Sequence, residues 1–567
     1  MPSQIEDIIE DPLVTPDMRD PKTPPSVKVQ SKPRKPYTDP TLGVHPDLSR
    51  EINQKSGTPR HRLVTIGDSL TQGFQSGAIF NTNISYPRMI AWEMGWDQYF
   101  RYPTYRYGGG LPLNLEWMIR NLEQKFGDRI NWWEIAAAAF EINQLMNNLE
   151  NYWERGAGND LAESNKLARQ AQQRRGINHN LAIYGWAVQD IHRRTAETCE
   201  KAIQTEKPTD DWLFPIVQAA NARAALRVLD SARDPNGRAL TPLQAAAALG
   251  AEGTWEDPAG DGIETLIIFI GANNALGSVF QLEVRWSTKI YEDLEEYDSL
   301  RQEDKFTVWD PTHFKVELDR VVEQVRQVRA RHVIMTTVPH VTIAPVTRGV
   351  ANKVRPGSRY FPFYTRPWIS DNDFNDKDDP KITEQQARAI DSAIDQYNYD
   401  IAKAVEAARQ DGLDWYLFDV AGLLDRLAAR RYFDDSQARP DWWTPYELPA
   451  ALQALSPVPD ARFFKSDLSG RTNGGLFSLD GVHPTTVGYA ILAQEFINIM
   501  QQYAGVKFFY GDGKTERVQP VRVDFRNWIA KDTLVSDPPK SLTGDLETIG
   551  WIDEKLDVFK RLLHIGN

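Results

Sequence analysis

The sequence predicts a three-layer α/β/α sandwich around a five-stranded parallel sheet, with a helical insertion and a C-terminal appendage. Three observations carry that expectation. Five short β-rich runs punctuate the chain, helical patterns fill the gaps between them, and the runs are apolar on both faces. A strand covered by helices on each side has no wet face, so it loses the polar–apolar alternation of a half-exposed sheet. Alternating strands and helices wind into a parallel sheet that binds ligands at the carboxyl ends of its strands.

The runs are Arg62 to Ile66, Asn180 to Tyr184, Thr265 to Ile270, His332 to Val338 and Asp414 to Val420. Helices are expected at Val316 to Arg329 and at Ile382 to Gln410. Thr383 and Gln386 are spaced as a capping box for the second. The gaps are unequal. Residues from about 97 to 176 form a helix-rich insertion with Trp132-Trp133-Glu134-Ile135 and an alanine run. Residues from about 340 to 381 are aromatic, then acidic, and residues from about 430 to 478 are irregular.

Both ends differ from the middle. Residues 1–60 are rich in proline and charge and read as an extended arm or disordered leader. Such a stretch cannot offset its ordering entropy unless it lies on something else. Residues 506–567 read as a hairpin turning at Gly511-Asp512-Gly513, then an amphipathic helix near Ile552 to Leu563. One domain, residues 61–505, is expected between them.

Lys and Arg number 65 against 78 Asp and Glu, a net charge of −13. That surface repels a phosphate backbone, so no nucleic-acid partner is expected. A single cysteine, Cys199, excludes an internal disulfide. The first residues show no basic segment followed by an apolar one, and no apolar run is long enough to span a bilayer. A cytoplasmic protein without a transmembrane segment is the expectation; nothing in the sequence names a protein partner.

The chemistry centres on Ser69, in Ile66-Gly67-Asp68-Ser69-Leu70, where the first strand gives way to a helix. A serine that attacks a carbonyl needs a base, an acid to orient the base, and donors for the oxyanion. Among the nine histidines, His483 has the best context. It lies in Asp480-Gly481-Val482-His483-Pro484, before a helical run from Val487 to Met500. A tight turn at Gly481 brings the Asp480 carboxylate back onto the imidazole. His45 and His564 lie in the ends, and His192, His313 and His332 sit in or beside helix or strand-edge positions. His340 is the one rival.

These two blocks resemble the first and last blocks of the SGNH (GDSL) hydrolase superfamily, in its lipase- and esterase-like bacterial branch. Two middle blocks stand in order between them. Asn180-Leu181-Ala182-Ile183-Tyr184-Gly185 is similar to the second, and Gly271-Ala272-Asn273-Asn274 to the third. The resemblance covers roughly residues 61–505, with long inserts. It implies a flavodoxin-like sandwich, with Ser69, Asp480 and His483 as catalytic residues and donors from Ser69, Gly185 and Asn273 for the oxyanion. It implies no metal and no organic cofactor. In the third block Asn274 stands where relatives carry Asp, a change expected to weaken a local hydrogen-bond network. His340 stands where relatives are commonly acidic, and the long insert before Gly185 is expected to alter access.

The expected reaction is hydrolysis of a carboxylic ester, from a small-molecule, lipid or acylated substrate, through an acyl-enzyme on Ser69. An acyltransferase using the same intermediate, or a binding protein that keeps the fold, are the alternatives. The stretch Arg359 to Trp368 fits either a lid or acyl-pocket wall, or simple packing of a long loop. Gly511-Asp512-Gly513-Lys514-Thr515 has Phe508 where a phosphate loop needs glycine, so a hairpin turn is expected. Asp371 to Asp376 lacks the glycine of a calcium loop and reads as a solvated acidic loop. Trp132-Trp133 and Trp442-Trp443 read as packing residues.

Overall fold

The strands β1 (His61–Gly67), β2 (Ile263–Phe269), β3 (Ala330–Thr336) and β4 (Trp415–Phe418) form a sheet in that spatial order. All three pairings are parallel, from Leu63 opposite Thr265 to Thr336 opposite Phe418. This is a computed structural model, and it describes residues 5–44, 57–105, 107, 109–127, 130–131, 133–206, 217–287 and 306–540.

Side chains leave the sheet alternately to two cores, as the pleat requires. Val64, Ile66, Leu266, Ile268, Val333, Met335 and Leu417 enter one core, with the helices Pro311–Val325 and Glu384–Gln410. Leu63, Ile267, Phe269, Ile334, Tyr416 and Phe418 enter the other, with Tyr86–Glu93 and Thr486–Gln502. Each fully buried Leu or Ile here contributes about 1.5–3 kcal/mol. The three layers therefore follow from the doubly apolar strands. The capping box of Thr383 and Gln386 opens the long helix Glu384–Gln410.

The expected fifth strand is only partly formed. The run from 180 to 184 lies parallel along β1, with Thr65 N donating to His179 O at 2.8 Å and Leu181 N to Thr65 O at 2.8 Å. A single bridge, Thr65 to Asn180, results, so the sheet has four strands rather than five. Ile183 N still donates to Gly67 O at 3.1 Å, while on the outer side Asn180 Oδ1 takes the Ala182 amide at 3.2 Å and Gln72 Oε1 the Tyr184 amide at 2.7 Å, so the run follows β1 as an edge segment and not as a full strand.

The N-terminal residues lie on the sandwich. Lys28 N donates to Gln396 Oε1 at 2.7 Å and Gln30 N to Ser392 Oγ at 3.0 Å, while Val27 and Val29 are buried. Leu417 N on the outer edge of β4 donates to Pro40 O at 2.9 Å. An exposed row of strand donors invites pairing with another chain, and the arm covers part of it.

The insertion contains the helices Leu115–Phe126, Ile135–Glu150 and Lys166–Gln173. Trp132 lies outside the described residues; Trp133 is exposed, and Trp443 packs with Tyr432 and Ala438. After residue 505, Phe509 bridges Glu516 across the turn at Gly511 to Gly513, and Arg517 N donates to Phe508 O at 2.8 Å. The helix Phe525–Lys531 then packs on Thr486–Gln502. The expected helix at Ile552 to Leu563 lies outside the described residues. No helix among the described residues is long and apolar enough to cross a membrane.

Candidate active site

Strand β1 delivers Ser69 through a constrained turn. A Cβ on Gly67 would lie 2.3 Å from Phe269 O and 2.4 Å from Thr71 Oγ1, so only glycine fits there. Asp68 then caps the short helix Ser69–Gln72, its Oδ1 accepting from Leu70 N at 3.0 Å. Asp68 is fully buried, and its Oδ2 has no hydrogen-bond partner among the described residues. Burial raises its pKa to about 7 against the pull of the Leu70 amide and of His483.

Asp480 and His483 come from a turn between Phe477 and Pro484, which are bridged to each other. Gly481 sits at φ +68°, where a Cβ would also meet Val346 N at 2.8 Å. The Asp480 carboxylate accepts four bonds. Gly77 N, Val482 N and His483 N donate at 2.9, 2.9 and 2.8 Å, and His483 Nδ1 lies 3.0 Å from Oδ2. Burial opposes ionisation of Asp480, but His483 and these N–H groups outweigh it and hold the carboxyl below its usual value. The second imidazole nitrogen, Nε2, lies 2.9 Å from Ser69 Oγ. Phe74 packs on the imidazole face at 4.5 Å between ring centres.

Ser69, His483 and Asp480 are thus brought into one hydrogen-bonded series, with Ser69 3% exposed. Gly185 and Asn273 are brought to each other. Asn273 opens the helix Asn273–Gln281, and its Nδ2 donates to the carbonyl of Trp186, next to Gly185, at 2.7 Å. Both residues are half-buried. Asn274 does not loosen this corner. Its Oδ1 accepts from Val188 N at 3.0 Å and its Nδ2 donates to Gln189 Oε1 at 3.3 Å. The amide keeps an acceptor and adds a donor.

An apolar cavity of about 110 Å³ lies against Ser69 and His483. Its walls come from Leu276, Val341, Leu424, Leu427, Leu476 and Ile491, with Ser69, His340 and His483 the polar side chains. The stretch from Arg359 to Trp368 does not line it. That loop forms part of a second cavity instead, so it is not the wall of the pocket at Ser69.

His340, the rival base, is held by carboxylates. Its Nε2 is 3.0 Å from Asp395 and its Nδ1 3.5 Å from Asp425, all three buried. Burial alone would lower its pKa, but Asp395, Asp425 and Asp391 raise it to about 10. A histidine kept protonated cannot accept a proton from Ser69.

Other supports were not visible in the sequence. Ser76 N donates to Ser478 Oγ at 2.9 Å, and Tyr489 Oη donates to Phe74 O at 2.7 Å. Asp532, from beyond residue 505, accepts from Val487 N at 2.8 Å and so caps the helix that follows His483. Among the described residues, no group of three or more His, Cys, Asp or Glu is arranged to hold a metal ion.

A family model described as GDSL-like lipase/acylhydrolase matches residues 63–496. No curated protein matches the chain.

Proposed function

Because the chain belongs to the GDSL-like lipase/acylhydrolase family, we propose that this hydrolase cleaves carboxylic esters through an acyl-enzyme on Ser69. The observation that carries the reading is the series from Ser69 Oγ to His483 Nε2, 2.9 Å, and from His483 Nδ1 to Asp480 Oδ2, 3.0 Å.

His483 takes the Ser69 proton as Oγ attacks the ester carbonyl, and Asp480 stabilises the imidazolium that forms. The oxyanion is met by the backbone N–H groups of Ser69 and Gly185 and by the Asn273 side-chain amide. One Nδ2 hydrogen of Asn273 is spent on Trp186 O, which fixes the amide and leaves the other to donate. The alcohol leaves with the proton from His483. Water, deprotonated by the same imidazole, then attacks the acyl group and frees the acid and Ser69.

The apolar cavity beside Ser69 is assigned to the acyl chain, since its wall offers almost no hydrogen bond to a polar group. A p-nitrophenyl ester series from acetate to octanoate tests both assignments. Wild type should release p-nitrophenol with kcat/KM rising with chain length, and Ser69→Ala should lose at least about 10³-fold. Equal activity in Ser69→Ala would sink the proposal. Adding acceptor alcohols should leave the yield of free acid unchanged; diversion into new esters would identify an acyltransferase.

A further inference from the structure

The turn that carries Asp480 and His483 is held at both ends by segments outside the sheet. At the Asp480 end, Gly77 N donates to Oδ2, the oxygen that also meets His483 Nδ1. The neighbouring Ser76 carbonyl accepts from Leu115 N at 2.8 Å, where the insertion helix Leu115–Phe126 begins. At the His483 end stands Asp532, from the C-terminal extension and 2% exposed.

Each oxygen of Asp532 caps a different helix. Oδ1 accepts from Val535 N at 3.2 Å, in the short helix Thr533–Ser536 of its own segment. Oδ2 accepts from Val487 N at 2.8 Å, in the first turn of Thr486–Gln502. The next amide, Gly488 N, goes to Thr485 Oγ1 at 3.3 Å. Two caps therefore fix that first turn, and Asp532 is the one supplied from a distant segment. Burial raises the Asp532 pKa to about 7, and the Val487 amide pulls against it.

The two holds are joined to each other. Arg120, on the insertion helix, donates from Nη2 to Thr533 O at 3.3 Å and to Asp537 O at 2.6 Å. Lys540 N donates to Glu123 Oε1 at 2.6 Å. The contacts close a ring from Asp480 through Gly77, the insertion helix, Arg120 and Asp532 to Val487. Only Pro484, Thr485 and Thr486 separate Val487 from His483. A shift of the helix start is therefore passed to the imidazole, and misplacing a reacting group by about 1 Å can cost about 10²-fold in rate.

We propose that Asp532 is a positioning residue for His483, and that the C-terminal extension, clasped by Arg120, sets the reach of the imidazole toward Ser69. The proposal deepens the esterase reading and rests on it.

Three variants of the full chain test it, Asp532→Ala, Asp532→Asn and Arg120→Met. The readouts are kcat and KM for p-nitrophenyl acetate, and the low-field proton resonance of the His483–Asp480 hydrogen bond, which needs no substrate. Asp532→Ala should lower kcat by about tenfold or more with KM unchanged, and should shift or broaden the resonance. Asp532→Asn keeps an acceptor for Val487 N and should restore kcat to within about threefold of wild type. Arg120→Met, at a half-buried position, should lower kcat by about threefold and decides the matter if Asp532→Ala does not fold. A lower melting temperature with kcat and the resonance as in wild type would overturn the proposal, because Asp532 would then only stabilise. So would a kcat as low in Asp532→Asn as in Asp532→Ala. A wild type that cleaves no ester would instead sink the esterase reading, and the resonance in the variants would then decide the role of Asp532.

Discussion

Two cavities share the loop from Pro339 to Thr347 as a wall, and their chemistry is opposite. The one at Ser69 is lined by Leu, Val, Ile and Phe around the hydrogen-bonded pair Ser69 and His483, with His340, held by Asp395, as the other polar side chain. Every polar group of that pair has a partner. The other is lined by six cationic side chains and two carboxylates. A satisfied polar series in an apolar wall suits a site that moves protons between fixed atoms, because the low dielectric strengthens each bond in it. The contrast separates an apolar cavity from a charged one, although one short loop borders both.

The sharpest way to break that contrast is at the apolar side. Asp480→Asn leaves the shape of the series but favours the wrong imidazole tautomer, so kcat should fall by about 10³–10⁴-fold. An unchanged kcat would show that Asp480 does not orient His483. The next effect concerns the wall. Leu424→Trp fills the apolar cavity at a half-buried position. It should lower kcat/KM for p-nitrophenyl octanoate by about 10–100-fold while sparing the acetate. An equal fall for both esters would show that the cavity does not hold the acyl chain.

A third effect is on stability. The folded Asp68 carboxyl has a pKa of about 7, against 3.8 for an ordinary Asp. Between those values the folded state keeps a proton that the unfolded state releases, so this group makes stability fall as pH rises from about 4 to 7. Asn at this position caps the helix equally well and does not titrate. Denaturant melts of wild type and Asp68→Asn should therefore diverge with rising pH across this window, by up to about 4 kcal/mol. Parallel curves would show that Asp68 is not held protonated.

The sheet and the pair Ser69 and His483 were legible because each depends on short-range pattern. β2 and β3 are apolar on both faces, and Asp480 and His483 are three residues apart around a glycine. The fifth run bonds β1 through Thr65, Leu181 and Ile183 yet makes a single bridge, and its outer amides go to the Asn180 and Gln72 side chains, contacts that only the folded chain sets. The pocket wall was equally hidden. Leu276, Val341, Leu424, Leu476 and Ile491 come from separate segments, and each looks like an ordinary core residue. The aromatic stretch from Arg359 to Trp368 follows the right strand but faces the other cavity. The leader could be read as extended, but its seat on the helix Glu384–Gln410 rests on single hydrogen bonds such as Lys28 to Gln396. No sequence period records such bonds.

The central claim is that Ser69 is the nucleophile. Reaction of the intact chain with a fluorophosphonate, followed by peptide mapping, tests it directly. One adduct per chain on Ser69, absent in Ser69→Ala and strongly slowed in His483→Gln, is the predicted result. An adduct on another residue, or none on a folded wild-type chain, would contradict it.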